Sequence, residues 1–108
     1  MLALMVATPS NPTGTAVSAD DLAKMCEFAK ARGAWRIIDE IYLNLSDDTN
    51  GPPQSALSFD NDAIIINSFS KYFGMTGWRL GWMIVPNDMV AVIERLAQNL
   101  YICPSTPA

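Results

Sequence analysis

Ala63-Ile-Ile-Ile-Asn-Ser-Phe-Ser-Lys-Tyr-Phe-Gly-Met-Thr-Gly-Trp-Arg-Leu-Gly-Trp-Met-Ile-Val85 decides how this chain is put together. The stretch opens on Ala63–Asn67 and closes on Leu80–Val85, two apolar runs of strand length. Unbroken apolar runs suit strands covered on both faces. The connection from Asn67 to Leu80 has no apolar repeat of helix length. A parallel return needs a crossover of a dozen or more residues, usually a helix. The second run is therefore expected to lie antiparallel beside the first.

Upstream, Trp35-Arg-Ile-Ile-Asp39 reads as another short strand. Its end, Asp39-Glu-Ile-Tyr42, leads into a polar stretch, Ser46 to Pro53, expected as a surface loop. Leu2–Ala7 is a further apolar run, closed by Thr8-Pro-Ser-Asn-Pro-Thr-Gly14, where two prolines and a glycine exclude regular structure. A helix follows. Ser18 caps it with Asp21 as partner in a capping box, although aspartate reaches less well there than glutamate. Asp20 and Asp21 sit at the positive end of its dipole, Lys30 and Arg32 at the negative end. Leu22, Met25, Cys26 and Ala29 repeat at helical spacing as the buried stripe, and Gly33 supplies a left-handed stop. Pro86-Asn87 opens a last helix, with Val90, Ile93, Leu96, Ala97 and Leu100 on one face. The pattern predicts an α/β fold: three parallel strands and one antiparallel strand with flanking helices. Repeats, linkers and low-complexity tracts are absent.

Composition narrows the function. The 108 residues are 50% hydrophobic and 17% charged, which excludes a disordered chain and bounds it to one small domain. Seven basic residues against eleven acidic ones, scattered along the chain, argue against nucleic acid as a partner. Histidine is absent, which excludes histidine triads and histidine metal sites, so no metal ligands are assigned. Cys26 and Cys103 form neither a disulfide framework nor a C-x-x-C pattern, and are expected reduced in a cytoplasmic protein. The opening apolar run has no basic flank and is too short to span a membrane, so neither a signal peptide nor a membrane partner is expected.

In open parallel sheets, ligands bind beyond the carboxyl ends of the strands. After the first strand comes Asn11-Pro-Thr-Gly14, after the second Asp39 and Tyr42, after the third Ser68-Phe-Ser70-Lys71. Arg79 precedes the antiparallel strand and so belongs to the same rim. An amide, a carboxylate, a phenol, two hydroxyls, an amine and a guanidinium converge there.

Ser10-Asn-Pro-Thr-Gly14, Asp39-Glu-Ile-Tyr42, and Ser68-Phe-Ser-Lys71 through Gly74-Met-Thr-Gly-Trp-Arg-Leu-Gly81 resemble the class I/II aminotransferases, fold-type I enzymes that use pyridoxal 5′-phosphate. The likeness covers essentially the whole chain, with the motifs in family order. Asn-Pro-Thr-Gly alone is simply a good turn. Three motifs in order, with an arginine eight residues after the lysine, are specific.

The resemblance implies a role for each rim residue, beside which an ordinary reading stands. Lys71 is the implied Schiff-base lysine and proton shuttle, against a solvated surface charge. Asp39 is the implied partner of the protonated pyridine nitrogen, against a helix cap or surface ion pair. Tyr42 and Asn11 are implied donors to the ring's phenolate oxygen, against a half-buried aromatic and a turn residue. Ser68 and Arg79 are implied phosphate ligands, against a strand-end cap and a surface pair, and Ser70 has the same chemistry. The family also implies a cis Asn11–Pro12 bond. Glu40 has no such role and reads as structural. Trp35, Phe69, Trp78 and Trp82 read as packing residues.

The implied activity is amino-group transfer from an amino acid to a 2-oxo acid by a homodimeric, cytoplasmic enzyme. Two alternatives stand beside it: a lyase of the same fold that cleaves C–S bonds or eliminates, and a non-enzymatic regulator with an aminotransferase-like sensing domain. Family members are about four times this length. The chain is thus expected to be the middle of a large, cofactor-binding domain, residues 1–108, inactive alone. Its outer strands would lack their neighbours, so the isolated segment is expected to be poorly soluble or to assemble edge to edge.

Overall fold

A computed structural model describes residues 2–45 and 52–106. The elements follow the order β1 (Ala3–Ala7), α1 (Ala19–Lys30), β2 (Trp35–Asp39), β3 (Ile64–Ser68), β4 (Gly81–Ile84) and α2 (Asn87–Leu100). Short 3-10 turns occupy Leu43–Leu45, Ala56–Ser58 and Thr76–Trp78. The four strands form one sheet in the order β1-β2-β3-β4. The first three are parallel and β4 is antiparallel to β3, as the missing crossover helix requires. The last two strands begin one residue later than the apolar runs suggest. Most of the polar stretch expected as a loop, Ser46 to Pro53, lies outside the described residues; Pro52 and Pro53 are exposed.

α1 starts where the sequence punctuates it. The Ser18 hydroxyl accepts from the Asp21 amide at 3.2 Å and donates to the Asp21 carboxylate at 2.9 Å. The short aspartate thus takes the capping hydroxyl rather than reaching back to the backbone. Gly33, at φ +62°, turns the chain out of the helix into β2.

α1 lies on one face of the sheet. Leu22 and Cys26 meet Ile38 of β2, Ile65 of β3, and Ala56 and Ala63 between them. Val6, Val17 and Leu57 close the margin of this core. Burying each such large aliphatic side chain contributes about 1.5–3 kcal/mol.

A charged clamp ties β2 to the turn before β3. Arg36 Nε and Nη2 donate to the two Asp60 carboxylate oxygens at 2.8 and 2.9 Å, with both residues buried.

Three expectations need correction. Met25 is not part of the buried stripe; it lies with Leu4 and Phe28 in a shallow apolar groove, because no described element packs beyond edge strand β1. β1 is not covered on both faces: Met5 is 73% exposed on the side away from α1. Trp35 and Trp78 are about half exposed, whereas Phe69 and Trp82 do pack, with ring centres 4.8 Å apart. α2 forms as expected, yet none of its residues is buried. No described helix is long and apolar enough to cross a membrane.

Candidate active site

The parallel strands end along one rim, β1 at Ala7, β2 at Asp39 and β3 at Ser68. β4 runs the other way, so its first residue, Gly81, pairs with Ser68. The loop after β1, the turn after β2 and the whole 69–80 connection therefore gather at this rim, and with the strand ends Asp39 and Ser68 they carry all the site residues singled out from the sequence.

The loop after β1 folds on itself. The Gly14 amide donates to Ser10 O at 2.7 Å and the Ser10 amide to Thr15 O at 2.9 Å, with Gly14 at φ +70°. The Asn11–Pro12 bond is cis, as the family implies, and so is Thr8–Pro9. Asn11 reaches across to the turn after β2. Its Nδ2 donates to the Tyr42 hydroxyl at 3.3 Å, over 31 residues of sequence. A phenol oxygen that accepts from an amide keeps its own hydrogen for another acceptor. The Tyr42 hydroxyl has no other hydrogen bond among the described residues.

Asp39 is half-buried at the end of β2, in register with Ala7 and Ile66. Its Oδ1 accepts from the Ile41 amide at 3.0 Å, which starts the turn towards Tyr42. Its carbonyl accepts from the Thr8 amide at 3.1 Å and so holds the root of the loop after β1.

Lys71 is exposed, with Nζ 5.7 Å from the centre of the Tyr42 ring. Among the described residues the ion pairs are Lys24–Asp21, Lys30–Asp62 and Arg36–Asp60, so the Lys71 amine is unpaired.

The 69–80 connection is laced together internally. Ser68 Oγ donates to Leu80 O at 3.2 Å and accepts from the Ser70 amide at 2.9 Å, which is a strand-end cap. Ser70 is buried, and its carbonyl accepts from Thr76 Oγ1 at 2.9 Å. Arg79 is exposed, and its guanidinium donates to Thr76 O at 3.0 Å. Asn11, Tyr42 and Lys71 thus come together directly. Asp39, Ser68 and Ser70 share their rim, and Arg79 reaches it through Thr76.

Two further residues shape the site. Thr8 is buried, and its Oγ1 accepts from the Val17 amide at 2.9 Å across the base of the loop. A threonine before proline in a turn gave no sign of this. Glu40, read as structural, is a buried carboxylate whose Oε1 accepts from the Ala56 amide at 2.7 Å and from Ser55 Oγ at 3.2 Å. Burial pushes its carboxyl above the ordinary glutamate range, against the opposing pull of those two donors. Glu40 pins the returning chain beneath the Asp39–Tyr42 turn. A cavity of about 630 Å³ opens beside the cluster, with Asn11 and Tyr42 in its wall.

Known proteins resemble this chain in sequence and fold. Residues 2–108 match the family described as aminotransferase class I and II. The chain is 40% identical over 103 residues to the valine–pyruvate aminotransferase of Mycobacterium tuberculosis, covering 94% of this chain and 26% of that protein. A crystal structure of an aminotransferase from Mycobacterium tuberculosis matches with a TM-score of 0.86 at 39% identity, over 92% of this chain and 28% of that one. That of aspartate aminotransferase from Thermotoga maritima matches with a TM-score of 0.87 at 29% identity, over 97% and 28%. The chain therefore spans about a quarter of the length of these relatives. With the family matched over residues 2–108 and the fold shared with solved fold-type I aminotransferases, the chain belongs to the class I and II aminotransferases, a family dependent on pyridoxal 5′-phosphate.

Proposed function

We propose that this chain is the cofactor-binding part of a longer aminotransferase that moves an amino group from an amino acid to a 2-oxo acid. One observation carries the reading. An amide, a phenol and an amine in no ion pair among the described residues, from three separate loops, meet at the carboxyl rim of the sheet, the amide 3.3 Å from the phenol and the amine 5.7 Å from its ring.

The donor set fits the cofactor chemically. An aldehyde asks for an amine, a pyridinium for a carboxylate, an anionic ring oxygen for neutral donors, and a phosphate for hydroxyls and a guanidinium. Lys71, Asp39, the Tyr42–Asn11 pair, and Ser68, Ser70 and Arg79 supply these in turn. When bound, pyridoxal 5′-phosphate contributes a carbonyl for the amine and a ring that draws electrons from the substrate carbon. Asp39, oriented by the Ile41 amide, holds a proton on the pyridine nitrogen. Tyr42 donates its free hydrogen to the ring oxygen, and the Asn11 amide fixes the phenol for that task. The guanidinium of Arg79 and the hydroxyl of Ser70 anchor the phosphate by charge-assisted bonds. The Ser68 hydroxyl joins them if it swings from Leu80 O. With the cofactor and an amino acid in place, the Lys71 amine would serve as the base that takes and hands on the substrate's α-proton. Among the described residues no carboxylate pairs with that amine and ties it up as an ammonium.

The names of the relatives point to different amino donors, valine in one and aspartate in another, so the class of substrate rather than its side chain is assigned. The reading includes a homodimeric, cytoplasmic full-length enzyme and a 108-residue segment inactive by itself, since the segment covers about a quarter of such a protein. The test uses the full-length protein. Borohydride reduction after incubation with pyridoxal 5′-phosphate, followed by peptide mass mapping, is expected to place a pyridoxyl group on Lys71. Incubation with an amino acid and 2-oxoglutarate is expected to yield glutamate. An adduct on another lysine would refute the site. Ammonia and a 2-oxo acid formed without any acceptor would replace transfer with elimination.

A further inference from the structure

We infer that Thr76 is a positioning residue that couples the phosphate-side arginine to the lysine loop, so that the cofactor's phosphate group aligns the amine that meets its aldehyde. The inference rests on the reading of Lys71 and Arg79 given above. Thr76 faces both ways. Its hydroxyl donates at 2.9 Å to the carbonyl of Ser70, the residue immediately before Lys71. Its own carbonyl accepts at 3.0 Å from the Arg79 guanidinium. Lys71 and Arg79 are eight residues apart, and a single residue joins their two ends of the connection, through its hydroxyl on one side and its carbonyl on the other.

The local backbone makes that link consequential. The 3-10 turn Thr76–Trp78 has no side-chain cap at Met75, so it is held from outside. The Met75 amide bonded to Phe69 O at 3.1 Å provides one tie and the Thr76 hydroxyl the other. Arg79 leaves the turn at φ +55°, a left-handed conformation that a non-glycine residue keeps only when its surroundings hold it. Ser70, where the hydroxyl lands, is buried, so its carbonyl is a fixed point. Pulling on the guanidinium therefore pulls on the peptide that orients Lys71.

The test compares pyridoxal 5′-phosphate with pyridoxal, which lacks the phosphate, by absorbance titration and by borohydride trapping on Lys71 in the full-length protein. Wild type is expected to prefer the phosphorylated form strongly. Thr76→Val, which removes the hydroxyl and keeps the shape, is expected to narrow that preference by about two- to tenfold, the scale of one net hydrogen bond. Thr76→Ser is expected to restore it. In an Arg79→Gln background, Thr76→Val is expected to change nothing further. An equal loss of affinity for both compounds, or additivity with Arg79→Gln, would make Thr76 a merely structural residue and overturn the inference. If Thr76→Val fails to fold, the same comparison of Thr76→Ala with Thr76→Ser decides it. Wild-type protein that traps neither compound on Lys71 would instead refute the proposed function beneath it.

Discussion

Asp60→Ala is expected to be among the most destabilising single changes in this part of the chain, and the structure gives the size. Arg36 and Asp60 meet fork to fork at 2.8 and 2.9 Å, with relative exposures of 7% and 5%. The remaining guanidinium nitrogen donates to Ala34 O at 3.1 Å, and Asp60 Oδ1 also accepts from the Asp62 amide. The hydrogen bonds from Arg36 hold the Asp60 carboxyl below the usual carboxylate range. Removing the carboxylate leaves a buried cation without its partner, which costs about 3–5 kcal/mol. With a urea dependence of about 3 kcal/mol/M for a sizeable domain, the unfolding midpoint should fall by roughly 1–1.7 M. The assay is urea unfolding of the full-length protein without cofactor, followed by tryptophan fluorescence. Burial limits screening, so the drop should persist in high salt. The exposed Lys24–Asp21 pair, by contrast, is worth at most about 1 kcal/mol. Arg36→Met combined with Asp60→Leu should recover most of the loss, because an apolar pair of similar volume has no charge to leave stranded. A midpoint unchanged in Asp60→Ala, or a drop that high salt abolishes, would mean that water reaches the pair and would refute the argument. Arg36 sits near the amino end of β2 and Asp39 at its carboxyl end, so turnover per folded molecule should not change.

Gly81→Ala tests the junction of β3 and β4. A Cβ there would lie 2.8 Å from Asn67 O, a backbone atom that cannot yield without disturbing the strand pairing. A loss of about 1–3 kcal/mol and weaker cofactor retention are expected from melting and absorbance titration. Gly77→Ala, whose Cβ meets nothing within 4 Å, serves as the stability control. The pH profile should show two opposed contributions. Asp60 has a lowered folded pKa, so its contribution is present above about pH 4 and is lost as pH falls through the folded value. Glu40 has a raised folded pKa, so its contribution is complete below about pH 4 and is lost as pH rises through the folded value. Glu40→Gln should flatten the profile from about pH 4 upward, read from denaturant midpoints; parallel profiles for variant and wild type would show that burial does not govern Glu40.

Much of the fold was legible because breakers and apolar runs alternate so plainly. Trp35–Asp39 could be bounded to the residue, and Ser18 and Gly33 mark the ends of α1 through local chemistry alone. What escaped depends on partners distant in sequence. Arg36 interrupts an apolar strand, and the reason lies 24 residues away at Asp60. Met25, Trp35 and Trp78 are apolar by composition, but burial is decided by what packs over them, and residue spacing carries no record of that. At the rim, Asn11, Asp39, Tyr42, Lys71 and Arg79 were legible through the family motifs. Thr8 and Thr76 were not: a threonine beside proline or glycine looks like turn punctuation until its hydroxyl is seen to close a loop.

The reversal of β4 is the architectural step that brings Arg79 to the rim. Gly81 pairs with Ser68, so Arg79, two residues earlier, enters at the rim where β3 ends. A fourth strand parallel to β3 would begin at the opposite end of the sheet. At about 3.3 Å per residue over four paired positions, the arginine would then lie at least about 13 Å away from Ser68. A guanidinium side chain cannot bridge that gap and still hold a ligand beside Lys71. The absence of a crossover helix between Asn67 and Leu80 therefore does more than choose a strand direction. It shortens the connection until one threonine can link its ends, and it places Arg79, the cation proposed to hold a phosphate, on the same rim as Lys71, the amine proposed to meet an aldehyde.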